Sequence, residues 1–256
     1  MDSFIEEVVA IADAVAARRR SPKRIMLSFD EWNVWYRTRR KNEGRVKLGW
    51  PVAPPILEEI YNMQDALAFG GACISLLNHA DRIKSACLAQ LVNAIAPIMT
   101  ETGGPAWRQS IFYPFKDMSN LGRGTVLQTK VDSPTYDTTY YDPRGTSELW
   151  FPLPAVPYLK LSVVHNHDED CVTIFVLNRS LDEGLSMEAL VRGFDGLTVK
   201  EAHQLRNDDL MAVNTKDAPD TIKPAPLERI EIWGEQVRAK LAPASWNVIR
   251  LEVQRQ

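Results

Sequence analysis

The sequence predicts an α/β segment followed by an all-β segment. Two observations carry that expectation. Up to about residue 105, helical and strand-like runs alternate, which signals parallel strands joined by helical crossovers. After Gly103-Gly104-Pro105 the helical period disappears, and short strand-like runs follow one another with turn signals between them. That second pattern suggests an antiparallel sandwich. The boundary is therefore placed near residue 105, dividing the chain into 1–105 and 106–256. Composition agrees with an ordinary globular protein: 256 residues, 45% hydrophobic and 25% charged. Thirty Lys+Arg against 33 Asp+Glu give a net charge of −3, which argues against a nucleic-acid partner. No apolar run approaches the roughly 18 residues that would span a bilayer, and no basic segment leads into an apolar run at the N-terminus. A cytoplasmic protein is expected, with its three cysteines (Cys73, Cys87, Cys171) as reduced, buried thiols.

Each element has its own reason. Phe4, Ile5, Val8, Val9, Ile11, Ala12 and Val15 share a helical face, and Ser3 with Glu6 fits a capping box. Arg18, Arg19 and Arg20 close the helix at the negative end of its dipole, a solvated end rather than a patch for an anion. Ser21-Pro22 stops it. Arg24–Phe29 reads as a strand covered on both faces. A basic loop, Arg37 to Gly49, comes next. Pro54-Pro55 opens a helix over about 56–69, ended by Gly70-Gly71. Ala72–Leu77 reads as a second buried strand, and Ala86–Ile95 as an amphipathic helix stopped by Pro97. In the second segment, strands are expected at Ser110–Phe115, Gly124–Thr129, Tyr158–His165, Cys171–Leu177, Ser186–Val191, Val199–Leu205 and Trp246–Val253. Ala218–Pro226 reads as a loop.

In a barrel or open parallel sheet, chemistry gathers at the carboxyl ends of the strands. Asp30 and Glu31 stand there, with Trp32, Trp35 and Tyr36 close in sequence. Rings that stack on a sugar face beside a carboxylate suit glycosidic chemistry. A strand-end carboxylate paired to an Arg, with core aromatics, is the plain alternative. Neighbours in a strand point to opposite faces, so Asp30 and Glu31 are not expected to act as a catalytic pair.

The string Arg24-Ile-Met-Leu-Ser-Phe-Asp-Glu-Trp-Asn-Val-Trp-Tyr36 closely resembles the nucleophile strand of the α-L-arabinofuranosidases of glycoside hydrolase family 51. The resemblance continues through Val52–Leu57, Leu77–Arg82, Ala86–Asn93, Ala96–Thr100, Ala106–Gln109 and Ser245–Leu251. It implies the C-terminal part of a (β/α)8 TIM barrel joined to a jelly-roll-like antiparallel β-sandwich. It implies a retaining, exo-acting enzyme that removes terminal arabinofuranosyl groups from arabinan, arabinoxylan and their oligosaccharides. By position, Glu31 would be the nucleophile, Trp35 would line the sugar pocket and Gln90 would hydrogen-bond the sugar. The resemblance also allows a homo-oligomer.

The acid/base of the family is a Glu in an Asn-Glu pair on the fourth barrel strand. Asn42-Glu43 is the one Asn-Glu in this chain, and it lies in the basic loop with no strand before it. The chain therefore reads as a fragment lacking the acid/base and the first six strands. The missing N-terminal barrel portion becomes an expected partner. Alone, the chain is expected to be inactive, with unpaired strand edges and an uncovered apolar face that make the barrel part unstable. The alternative reading is a catalytically inert carbohydrate-binding or assembly fragment. No cofactor or metal is expected. His165-Asn-His167-Asp-Glu-Asp170 reads as a polar turn rather than a metal site, and His79 with Asp81 as a loop held by hydrogen bonds. Trp107, Trp150, Trp233 and Trp246 are assigned to core packing, with a sugar platform as the minority reading.

Overall fold

The computed structural model describes residues 1–35, 57–141 and 150–254. Tyr36, the basic loop with Asn42-Glu43 and the Pro54-Pro55 helix start lie outside the described residues. The chain divides into two compact units: Met1–Asn120 with Asn207–Pro224, and Leu121–Arg206 with Ala225–Gln256. The boundary expected near 105 thus falls inside the first unit. Gly103-Gly104-Pro105 forms the turn of the β-hairpin between residues 98–100 and 106–108, where the Glu101 N–H donates to the Pro105 carbonyl at 3.1 Å. Gly103 takes φ +69° there, a conformation that suits glycine.

The first unit holds α1 (Asp2–Arg18), β1 (Leu27–Trp32), α2 (Met63–Asn78), β2 (Ile83–Leu88), β3 (Ile98–Thr100), β4 (Ala106–Arg108) and α3 (Phe112–Leu121). β1 and β2 pair in parallel, and α2 is their crossover. This is the βαβ unit that the alternation predicts, with different residues in its parts. Ala72–Leu77 belongs to α2, not to a strand, and Gly70-Gly71 lies inside the helix. A short apolar run in a fully buried helix cannot be told from a buried strand by its pattern. Ile83–Leu88 is the second strand, so Cys87 is on a strand and exposed, against expectation. No helix covers Ala86–Ile95, and Gln90 follows β2 in a loop. The capping box forms elsewhere as well. α1 starts two residues early at Asp2, which leaves Ser3 within its first turn and Met1 at the cap with no side-chain bond. α2 instead carries a complete box: Asn62 Oδ1 accepts the Asp65 N–H at 3.0 Å, and Asp65 Oδ2 accepts the Asn62 N–H at 2.9 Å.

The core of this unit packs Ile5 of α1, Trp32 of β1, Phe69 and Cys73 of α2, Ile83 of β2 and Ile111. Tyr61 joins them. The segment 207–224 returns to the unit across sequence. Its Leu210 and Ala212 carbonyls accept the Gln64 and Met63 N–H groups at 3.0 and 3.1 Å, capping the free donors of α2. Asn214 Nδ2 donates to the Arg108 carbonyl at 3.0 Å, and Ile222 is fully buried.

The second unit is a β-sandwich. Its strands are β5 (Thr125–Leu127), β6 (Thr135–Tyr141), β7 (Trp150–Pro157), β8 (Leu159–Asn166), β9 (Cys171–Asn178), β10 (Leu185–Leu190), β11 (Thr198–Leu205), β12 (Ala225–Pro226), β13 (Ile230–Trp233), β14 (Gln236–Leu241) and β15 (Ser245–Glu252). A six-stranded sheet runs β12-β11-β15-β9-β8-β5 and a three-stranded sheet runs β10-β14-β13, all antiparallel. Between them pack Val172, Ile174 and Val176 from β9, Ile249 and Leu251 from β15, and Met187, Val237 and Leu241 from the smaller sheet. The alternation of these residues along each strand is the period of two that sheets require. The strands expected in this half match β5, β8, β9, β10, β11 and β15 within a few residues. Ser110–Phe115 is a correction, since Phe112 opens α3. Trp246 is core, stacked on Phe175 with ring centroids 5.9 Å apart. Trp150 and Trp233 are more than half exposed, against the expectation that they pack inside.

Candidate functional site

Glu31 is the penultimate residue of β1, at the carboxyl end of the parallel pair. One face of the pair is covered: Leu27, Phe29 and Trp32 of β1 and Ile83, Ala86 and Leu88 of β2 pack on the helices. The other face exposes Ser28, Asp30 and Glu31 of β1 with Lys84, Ser85 and Cys87 of β2. An irregularity of pairing between Phe29 and Trp32 breaks the alternation, so Asp30 and Glu31 are both exposed rather than divided between two faces. The bare face is therefore polar and small, not the apolar surface expected from the sequence. Apolar exposure lies on α1 instead, where Phe4, Ile11 and Val15 are about half exposed or more.

Trp32 pairs with Leu88 across the strands, so Glu31 and Gln90 emerge at the same end of neighbouring strands. Adjacent strands lie about 4.8 Å apart. Trp35, 46% exposed, follows three residues after Trp32. Glu31 and Gln90 thus stand at the same end of the strand pair, both open to solvent, and Trp35 lies three residues beyond the end of β1.

Two residues that sequence reasoning did not single out brace this end. Asn33 Nδ2 donates to the Ala89 carbonyl at 2.7 Å and also to the Ile95 carbonyl, while its Oδ1 accepts the Val34 N–H at 2.7 Å. It ties the chain just after Glu31 to the loop that carries Gln90. The Gln90 N–H reaches the same Ile95 carbonyl at 3.3 Å. Ile95 sits at φ +38°, a costly conformation for a β-branched residue, about 1–3 kcal/mol. Its N–H is held by the Leu57 carbonyl. Gln109, 1% exposed, does similar work one layer below. Its Nε2 donates to the Glu59 and Ala96 carbonyls at 2.9 and 2.7 Å, and its Oε1 accepts the Tyr61 N–H at 2.9 Å. Tyr61 in turn donates its hydroxyl to the Val34 carbonyl at 2.9 Å. The signal was present: Gln109 is a polar residue between Trp107 and Ile111, and such a residue is buried only when its amide is satisfied.

Trp32 stacks on Phe69 behind Glu31, with centroids 4.7 Å apart. Asp81 accepts from Arg24 at 2.6 Å, and His79 Nε2 lies 3.4 Å from Asp2, so both hold their loop, as the plainer reading expects. In the β8–β9 turn, Asn166 Oδ1 accepts the N–H groups of Asp168 and Glu169 at 3.0 and 3.2 Å. The His165 and His167 rings stand 3.9 Å apart, and burial followed by the His167 charge pushes the His165 imidazole below its ordinary pKa. Among the described residues no group of three His, Cys, Asp or Glu is placed to hold a metal ion.

A parallel strand pair joined by a crossover helix, with a carboxylate exposed at its carboxyl end and a sandwich following in the chain, is what the last strands of a (β/α)8 barrel joined to a sandwich would present. Comparison with known proteins makes the assignment specific. The family described as "Alpha-L-arabinofuranosidase C-terminal domain" matches residues 30–245, and this chain belongs to it. An intracellular exo-α-(1→5)-L-arabinofuranosidase of Halalkalibacterium halodurans is 46% identical over 98% of this chain and 47% of its own length. One from Bacillus subtilis is 43% identical over 99% of this chain and 48% of its own. The solved family 51 α-L-arabinofuranosidase of Bifidobacterium longum superposes with a TM-score of 0.82 at 34% identity, over 98% of this chain and 46% of that one. The chain spans about half the length of the curated relatives it matches.

Proposed function

We propose that this chain is the C-terminal portion of a retaining, exo-acting α-L-arabinofuranosidase, with Glu31 as its nucleophile. The observation that carries the reading is the placement of Glu31, exposed at the carboxyl end of β1 on the face that no described helix covers. In the proposed reaction the Glu31 carboxylate attacks the anomeric carbon. The bond to the leaving oxygen breaks as an acid protonates that oxygen, and a water molecule later displaces the sugar from Glu31. The acid is a carboxyl group from a barrel segment beyond these 256 residues, which also completes the sugar pocket. Trp35 offers a ring to the arabinofuranose and Gln90 an amide to its hydroxyls. The substrate is a terminal arabinofuranosyl group on an oligosaccharide or polymer, and no cofactor takes part. The relatives' names support both the substrate class and a cytoplasmic location. Among the described residues no helix is long and apolar enough to cross a membrane.

The test is reconstitution. The pure chain should release no arabinose from an aryl arabinofuranoside, and mixing it with the missing barrel portion should restore release. In the mixture, Glu31→Ala should lower turnover on the order of 10⁴-fold. Azide should recover release of the aryl alcohol by attacking the anomeric carbon from the space of the lost carboxylate, leaving a glycosyl azide in place of free arabinose. Turnover by the chain alone, or an active Glu31→Ala mixture, would refute the assignment.

A further inference from the structure

β6 and β7 pair with each other and belong to neither sheet of the sandwich. Their register sets Tyr141 opposite Trp150 and Tyr140 opposite Phe151. The ring centroids of these pairs are 5.2 and 5.5 Å apart. Trp150 is 63% exposed, Tyr141 52% and Tyr140 45%. A two-stranded ribbon is marginally stable in water by itself, and a cluster of open aromatic rings is a common mark of a binding surface.

Three features select what binds. First, β7 carries Pro152, Pro154 and Pro157, which have no N–H to offer, so its edge is poorly suited to pairing with another strand. Second, the two strands hold one charged side chain, Asp137, and its carboxylate already accepts the Ala155 N–H at 2.8 Å. Nothing on these strands selects an ionic partner. Third, Tyr and Trp each join a flat apolar face to a polar tip. A sugar is built the same way, with C–H groups on its faces and hydroxyls around its rim.

We propose that the β6–β7 ribbon is a second glycan-binding site, taking the neutral backbone of a pentose polysaccharide through stacking on Trp150 and Tyr141. It deepens the arabinofuranosidase reading and rests on it for the class of polymer. Bound polymer would raise the effective concentration of its terminal groups for the enzyme.

Affinity electrophoresis of the intact chain in native gels with and without linear arabinan tests the proposal without turnover. The chain should be retarded by arabinan. Trp150→Ala and Tyr141→Ala should each weaken retardation about tenfold, and Trp150→Phe, which keeps a flat ring, should retain it. Trp233→Ala should have no effect: that ring is also exposed, but the Arg238 guanidinium lies over it at 5.2 Å. Urea midpoints equal to that of the parent would show that the variants are folded. An unretarded parent chain, or equal retardation of parent and alanine variants, would overturn the proposal. So would alanine variants that dissociate an oligomer in sedimentation while retardation persists, since a second copy would then cover the ribbon. Failure of the Glu31 reading would instead appear in the reconstituted mixture, where retardation is not measured.

Discussion

Asp30 and Glu31 are adjacent carboxylates with different surroundings. The Ser28 hydroxyl donates to Asp30 at 2.6 Å, which fixes that side chain beside its own strand. This difference could not be read from two acidic letters in a row. A second carboxylate carries a pH dependence. Asp13 accepts both terminal nitrogens of Arg82, at 2.7 and 2.9 Å, and Arg82 is buried. The hydrogen bond from Arg82 holds the Asp13 carboxyl below the usual carboxylate range. A carboxyl whose pKa is lower in the folded state contributes stability above its unfolded value and loses it as pH falls through the folded one. Melting of the first unit should therefore drop on acidification below about pH 4, and Asp13→Asn should flatten that dependence in melts taken across the range. In the sandwich, Trp246 is fully buried on Phe175. Trp246→Ala should cost about 3–5 kcal/mol in urea unfolding.

At the scale of elements, the strand end is only as well placed as the loop that faces it. Asn33 supplies two N–H bonds that an aspartate cannot make, so Asn33→Asp should loosen residues 89–95, at about 1–3 kcal/mol. Faster amide exchange at Gln90 and Asn93, with exchange in β9 unchanged, would show it. The strand carrying Glu31 and the long sandwich strands were legible because their apolar runs were long and their turn signals plain. Ala72–Leu77 was misread because six apolar or small residues look alike in a buried helix and a buried strand. β6 and β7 were missed for the opposite reason: both sides of the ribbon are open, so its strands lack the alternation that burial imposes. Of the candidate site, Glu31, Trp35 and Gln90 come from the family resemblance. The bracing by Asn33 and Gln109 is not legible in the same way, because it rests on backbone groups distant in sequence, the Ala89 and Ile95 carbonyls for Asn33 and the Glu59 carbonyl and Tyr61 N–H for Gln109, and the sequence does not display such pairings.

At the scale of the molecule, the two units are not consecutive in the chain. The first takes Asn207–Pro224 from between strands of the second. The excursion leaves from β11 and returns at β12, where Gln204 pairs with Ala225, so its two ends are neighbours. Replacing 207–224 by a short Gly-Ser turn should leave the urea transition of the sandwich unchanged. The same change should destabilise α2, whose N-terminal donors lose the Leu210 and Ala212 carbonyls, and far-ultraviolet dichroism should report the lost helix. The excursion also sets an order of events during synthesis. When Asn120 has been made, the first unit still lacks a piece of itself, and Asn207 follows about ninety residues later. At roughly 5–20 residues per second, that is a wait of about 5–20 s. Through that interval the nascent βαβ unit must remain open, and the half of the chain that bears Glu31 can close only after most of the sandwich has been translated.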